Sequence, residues 1–233
     1  VSAHLLGPFA DLPAAERDAL TRATVTRTFP AGGLIWSRGD RADHLLVIQS
    51  GMVAIEASNL PPPRLSSRPG DSGAESTEFR GLILAVMGAE SVIGEMALAG
   101  VPRRSASVVA WTDTVAASVP TELLIAMRQG DPGVDAVVMG ILADTVRRLT
   151  NQVIETTFVP QAVRLRRILL RLARLGDSAT ITVTQAQLAE ILGARRTTVS
   201  ALLAADTAAG HIESGRGHIR IVNERALRAA SLQ

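Results

Sequence analysis

The sequence predicts an α+β chain: an N-terminal β-roll, then a long helix, then a C-terminal winged helix-turn-helix. Three observations predict it. From Thr26 to Val119, short β-type runs such as LLVIQ, GMVAI, GLILAV and SASVVA are punctuated by Gly32, Gly33, Gly39, Gly51, Gly88 and Gly94, and many short strands with glycine turns make a barrel or roll. Residues 121–158 return to helical periodicity. Residues 183–213, VTQAQLAEILGARRTTVSALLAADTAAGHIE, hold two amphipathic segments on either side of a glycine.

Taken in order, residues 5–24 place apolar side chains at helical spacing around Asp11, Pro13 and Glu16. Proline suits a first helical turn, so a short helix pair is expected there. Within the roll, the Pro-, Ser- and Gly-rich tract of residues 58–78 cannot form a core and predicts a mobile loop between two strands. Asp131 and Pro132 are a start signal for the long helix. Along it, Val138, Leu142, Thr145, Leu149, Gln152 and Thr156 follow a 4-3-4-3-4 spacing, which suits a dimer seam or a face packed on the roll. Pro160 interrupts the helix, and RLRRILLRLARLG at 164–176 is an amphipathic helix ending at Gly176. The expected domains are therefore a sensor at 1–133, a dimerisation helix and hinge at 134–159, and a DNA-binding domain at 160–233.

Composition narrows the function. The 233 residues are 47% hydrophobic, enough for two cores, and no window reaches the roughly 18 consecutive apolar residues of a membrane span. The first residues lack a cationic stretch ahead of an apolar one, so a cytoplasmic protein with no membrane partner is expected. The absence of cysteine excludes disulfides, thiolate metal sites and thiol switches. The pI of 10.6 reflects the lack of Lys, Tyr and Cys more than real basicity, since the net charge is only +2. Its distribution matters more: residues 1–159 hold 13 arginines against 17 carboxylates, whereas residues 160–233 hold 11 against 5. A basic C-terminal third fits nucleic acid, and a merely solvated face would give the same count. His4, His44, His211 and His218 fall in separate elements, so no metal is expected, and His44 is expected on the roll surface. No nucleophile–base–acid set appears, so no catalysis is expected. Trp36 and Trp111 are expected to pack.

The most informative segment is IGEMALAGVPRRSASVVA, residues 93–110. A glycine–glutamate turn, a short apolar helical stretch, an arginine and a hydroxyl residue would set one carboxylate and one guanidinium around a small cavity. An arginine fork matches phosphate oxygens, helix-terminal N–H groups add donors, and a carboxylate accepts from a sugar hydroxyl. A phosphorylated ribose would satisfy both ends; alternatively, the two charges could simply pair with each other.

This segment resembles the phosphate-binding cassette of cyclic-nucleotide-binding domains, and nearly the whole chain resembles the Crp/Fnr family of bacterial regulators. Residues 29–55, FPAGGLIWSRGDRADHLLVIQSGMVAI, are similar to the opening strands of that family's roll, and RRL at 147–149 and RRILL at 167–171 are similar to its long helix and the start of its DNA-binding domain. The resemblance implies that Glu95 holds the ribose hydroxyl and that Arg104 and Ser105 hold the cyclic phosphate. It further implies that Gly94, Met96 and Ala97 form the backbone wall and that Leu84 and Ala85 line the pocket. The positions that usually offer hydroxyls to adenine fall on Gln152 and Val153, of which only Gln152 can hydrogen-bond. Glu90 stands on the approach to the cassette where the family usually has glycine. Cyclic AMP is the implied effector.

In the C-terminal third, Thr184 is a suitable N-cap, Gly193 gives the turn, and Arg195 or Arg196 opens the second helix. Thr184, Arg195, Arg196, Thr197, Thr198 and Ser200 would then face base edges and phosphates. GHIESGRGHIRIV at 210–222 would form the wing, with Arg216 and Arg220 on phosphates. Where the family reads bases with an Arg-Glu pair and a further Arg, this chain has Arg196, Thr197 and Ala201. The implied partners are double-stranded DNA with a pseudo-palindromic operator, a second copy of the chain, and RNA polymerase. Two other readings stand beside this one: a nucleotide-independent DNA-binding regulator with a degenerate pocket, and a regulatory module of an enzyme, for whose catalytic domain too little chain remains.

Overall fold

The computed structural model describes residues 7–57 and 82–232. The tract of residues 58–78 expected to be a loop lies outside them, as does His4. The chain divides into two compact units, residues 1–54 with 86–159 and residues 55–85 with 160–233.

In chain order, a 3-10 turn (Gly7–Phe9) leads to α1 (Ala14–Ala23), β1 (Val25–Phe29), β2 (Leu34–Trp36), β3 (His44–Ser50), β4 (Val53–Ala57), β5 (Leu82–Met87) and β6 (Val92–Ile93). A 3-10 helix (Glu95–Ala99), β7 (Ser107–Ala110), β8 (Thr114–Pro120), α2 (Thr121–Gly130) and α3 (Pro132–Phe158) follow. The strands form two four-stranded sheets, ordered β1-β8-β3-β6 and β2-β7-β4-β5. The N-terminal helix pair expected from sequence is, among the described residues, one helix behind a 3-10 turn. Pro13, predicted in the first helical turn, stands at its N-cap.

Strand β8 pairs antiparallel with β1, Val25 opposite Ser118, and with β3, Leu45 opposite Val119. On β3, Leu45, Leu46, Val47 and Ile48 are all at most 1% exposed, so the continuous apolar run LLVI reflects burial of both faces. Leu45 and Val47 join Phe9, Leu20, Leu98, Leu124, Val134, Val138 and Ile141 in one core. Through this core α1, α2 and the first half of α3 rest on the roll. Glu90 lies in the turn before β6, on the approach to the cassette as read from sequence, in the left-handed region at φ 67°. There its N–H donates to the Ile48 carbonyl at 2.8 Å. Helix α3 starts as Asp131 and Pro132 predicted, with the Asp131 carboxylate accepting from the Gly133 N–H at 2.7 Å.

The C-terminal residues form α4 (Gln161–Leu175), β9 (Thr180–Thr182), α5 (Gln185–Leu192), α6 (Arg196–Ala208), β10 (Ile212–Gly215), β11 (His218–Ile221) and α7 (Glu224–Ala230). The three strands pair in the order β10-β11-β9. Leu165, Leu169, Leu188, Leu192, Val199, Leu203 and Leu227 are fully buried or nearly so, and α4 packs on α5, α6 and α7. One buried charge fixes this packing. Asp206, 1% exposed, accepts from Arg166 Nε at 2.9 Å and lies 2.9 Å from His211 Nδ1, so α4, α6 and the entry to the wing share a single carboxylate. No helix among the described residues is long and apolar enough to cross a membrane.

Candidate functional site

The cassette is built on a backbone that only glycine adopts easily. Gly94 has φ 84° and opens the 3-10 helix of Glu95–Ala99. A Cβ at Gly94 would stand 2.5 Å from Arg104 Nη1 and 3.3 Å from the Trp36 ring, so the missing side chain is the space that the guanidinium occupies. Arg104 is held from its backbone: its N–H donates to the Asp40 carbonyl and its carbonyl accepts from the Gly39 N–H, both at 2.9 Å.

The Arg104 side chain is 5% exposed, and all three of its guanidinium nitrogens lack a hydrogen-bond partner among the described residues. An aromatic ring lies against it, the guanidinium carbon being 3.8 Å from the centroid of Trp36. The Trp36 ring meets His44 edge-on, with centroids 5.8 Å apart and planes at 79°. His44 Nδ1 in turn lies 2.6 Å from Asp43 Oδ1. His44 is half-buried, its side chain 25% exposed, so it lies at the roll surface while its ring packs on the wall behind Arg104.

The electrostatics follow from burial. Withdrawal from water pulls the Arg104 pKa down, and Asp43, Asp40 and Glu95 oppose it. Withdrawal from water also pulls His44 below its usual 6.5; the Asp43 hydrogen bond opposes this and the Arg104 charge adds to it. Imidazole is therefore neutral near pH 7, and Arg104 is the cation at this wall. The hydrogen bond from His44 holds the Asp43 carboxyl below the usual carboxylate range.

Glu95, 7% exposed, does not pair with Arg104. Its Oε1 accepts from Thr145 Oγ1 of α3 at 3.0 Å. The alternative of an internal Glu95–Arg104 ion pair is thus not what the chain forms. Among the other expected residues, Ala97 is buried, Met96 is 37% exposed, and Ser105 is exposed next to Arg104. Leu84 and Ala85 lie on β5, Ala85 buried and Leu84 partly so. Gln152 is half-buried on α3, and Val153 is 64% exposed. Sequence reasoning missed Trp36, His44, Asp43 and Thr145, whose roles depend on pairings between residues far apart in the chain.

Of the two readings of the spaced face on α3, packing on the roll is what its first half does. Val138 belongs to the roll core, Leu142 packs against that core, and Thr145 is bonded to Glu95. The apolar side chains left exposed are Met139, Val146, Leu149, Val153, Ile154 and Phe158. Of these, Met139, Val146 and Val153 recur every seven residues.

In the second unit, Thr184 caps α5 in a reciprocal box: its hydroxyl accepts from the Gln187 N–H at 3.2 Å and its own N–H donates to Gln187 Oε1 at 2.9 Å. Gly193, at φ 66°, ends α5, and Arg195 stands at the N-cap of α6. Val199 and Leu203 turn inward, which leaves Arg195, Arg196, Thr197 and Ser200 exposed and Thr198 half-buried. Arg216 is exposed at the wing turn. Arg220 is exposed as well, but its Nη2 is already 2.7 Å from Glu213 Oε2, directly across the hairpin. A phosphate contact from Arg220 would have to share or break that pair. No cluster of three or more His, Asp or Glu side chains that could hold a metal occurs among the described residues.

Comparison with known proteins agrees with both halves. Residues 26–131 match the cyclic nucleotide-binding domain and residues 163–230 the Crp-like helix-turn-helix domain. The chain is 26% identical over 193 residues to the CRP-like cAMP-activated global transcriptional regulator of Mycobacterium tuberculosis, spanning 80% of this chain and 79% of that one. It is 29% identical over 201 residues to the Cyclic AMP receptor protein of Thermus thermophilus, spanning 86% and 85%. A transcriptional regulator of the crp/fnr family from Eubacterium rectale shares the fold, with a TM-score of 0.75 over 97% of each chain at 16% identity. FixK2 from Bradyrhizobium japonicum does so with a TM-score of 0.70 over 89% of this chain and 96% of that one, at 18% identity.

Proposed function

The chain belongs to the Crp/Fnr family of DNA-binding transcription regulators, which are not enzymes, and from that premise we propose that it acts in the cytoplasm as a homodimer whose operator affinity is set by cyclic AMP or a related cyclic nucleotide. The sensor is residues 1–133, the dimerisation helix 134–159 and the DNA-binding domain 160–233. Glu95 takes the ribose and Arg104, with Ser105, the cyclic phosphate, between the wall of Gly94, Met96 and Ala97 and the β5 residues Leu84 and Ala85. Gln152 is the α3 residue able to reach the base. Arg195, Arg196, Thr197, Thr198 and Ser200 address DNA bases and phosphates, and the wing addresses phosphates. RNA polymerase is the partner through which occupancy of the operator would affect transcription.

The observation that carries the reading is Arg104: a buried guanidinium without a single hydrogen-bond partner among the described residues. A phosphodiester brings one negative charge and acceptors in the plane of the fork, which is what this cation lacks. Isothermal titration with cyclic AMP and cyclic GMP tests it. Saturable binding is expected, and Arg104→Ala should weaken it by roughly thirty- to several-hundredfold, the effect of about 2 to 4 kcal/mol. No saturable binding at millimolar nucleotide would leave the alternative, a nucleotide-independent regulator with a degenerate pocket.

A further inference from the structure

Glu95 and the long helix meet through one hydroxyl. Thr145 Oγ1 donates to Glu95 Oε1 at 3.0 Å, and the carboxylate is 7% exposed. An ionised carboxylate offers about four acceptor positions, and burial makes each unfilled one costly. With Thr145 on Oε1, the rotamer of Glu95 is set and acceptor capacity remains for a second donor. At the base end the helix offers less, since Val153 has no hydrogen-bonding group and is 64% exposed.

We propose that Thr145 is a positioning residue for Glu95, and that through it α3 is tied to the ribose end of the bound nucleotide. This rests on the nucleotide reading above. A 3′,5′-cyclic nucleotide keeps one free sugar hydroxyl, the 2′, so the carboxylate steered by Thr145 accepts from that group. Removing the Thr145 donor leaves Glu95 short of a partner and free to change rotamer. The cost then falls on the sugar contact alone and not on the phosphate held by Arg104.

The test is titration calorimetry on the full chain with cyclic AMP and with 2′-deoxy cyclic AMP, for the wild type, Thr145→Val and Thr145→Ser. Thr145→Val keeps the shape without the donor and should weaken cyclic AMP roughly five- to twentyfold, while changing 2′-deoxy binding less than about twofold. Thr145→Ser, which restores the hydroxyl, should bring cyclic AMP back to within about threefold of the wild type. Equal weakening of both ligands would make Thr145 a structural residue and overturn the inference, as would no weakening at all. A wild type that binds neither ligand overturns the nucleotide reading itself, and this inference with it.

Discussion

Arg104 and Trp36 show how one residue pair prepares a buried charge for a ligand. Taking a cation out of water without hydrogen-bond partners costs several kcal/mol. A desolvated cation–π contact offsets about 2 kcal/mol of that, and the 3.8 Å stack on Trp36 is such a contact. The Asp43, Asp40 and Glu95 carboxylates oppose the cost further through space, and no side-chain hydrogen bond among the described residues does. The ring also helps to place the guanidinium, whose N–H bonds, the ones a phosphate would use, lie in one plane on three buried nitrogens. Replacing the ring should therefore act on the phosphate contact. Trp36→Leu is expected to weaken cyclic nucleotide binding about tenfold, and Trp36→Phe, which keeps a weaker π face, by less. Calorimetry on the two variants checks this order; a leucine variant that binds as tightly as the wild type would mean the backbone alone holds Arg104.

Helix α3 has one face packed on the roll and another left exposed. Val134, Val138 and Ile141 enter the roll core and Thr145 reaches Glu95, so one side belongs to the sensor. A flanking side, roughly a third of a turn round the helix, carries Met139, Val146 and Val153 at 53%, 63% and 64% exposure. Their seven-residue spacing is that of a two-helix seam. Glutamates at Val146 and Val153 would set like charges against each other along such a seam, and the double variant should sediment as a monomer. If it stays a dimer, the protein associates through another surface. The sequence made the length, start and amphipathic character of this helix legible, since Asp131, Pro132 and the apolar period are local signals. Which apolar face goes to the roll was not legible: Val138 and Met139 are adjacent and equally apolar, and only the shape of the sheet chooses between them. The cassette was legible in the same uneven way. Gly94, Glu95 and Arg104 stand close enough in sequence to be seen as a unit, but Trp36, His44 and Thr145 reach it across strands and a helix that no local pattern connects.

At the scale of the whole molecule, the charge is uneven: residues 1–159 are net acidic and residues 160–233, which hold the Crp-like helix-turn-helix domain, are net basic. The cap at Thr184, the turn at Gly193 and the buried Val199 and Leu203 orient α6 so that Arg196 and Thr197 of its first turn are exposed. Arg195 and Arg196 both lie there without a hydrogen-bond or ionic partner among the described residues, whereas Arg220 is already engaged by Glu213. A two-fold dimer would present two such turns, so its operator should be a pseudo-palindrome with half-sites about one helical turn, roughly 34 Å, apart. Arg196, inside the helix rather than at its cap, is placed to read guanine through O6 and N7 together, which contributes roughly 1 to 3 kcal/mol of discrimination. Thr197 is too short for the reach of a glutamate to cytosine, and Ala201 can offer only an apolar contact to a thymine methyl. Recognition should thus centre on few base pairs, with Arg216 adding affinity that is independent of sequence and falls as salt rises. Selection of binding sites from random DNA with the wild type and with Arg196→Ala checks this: the variant should lose one guanine preference in each half-site and keep the rest. If both proteins enrich the same base at every position, Arg196 contacts phosphate or nothing, and Arg195 becomes the reader.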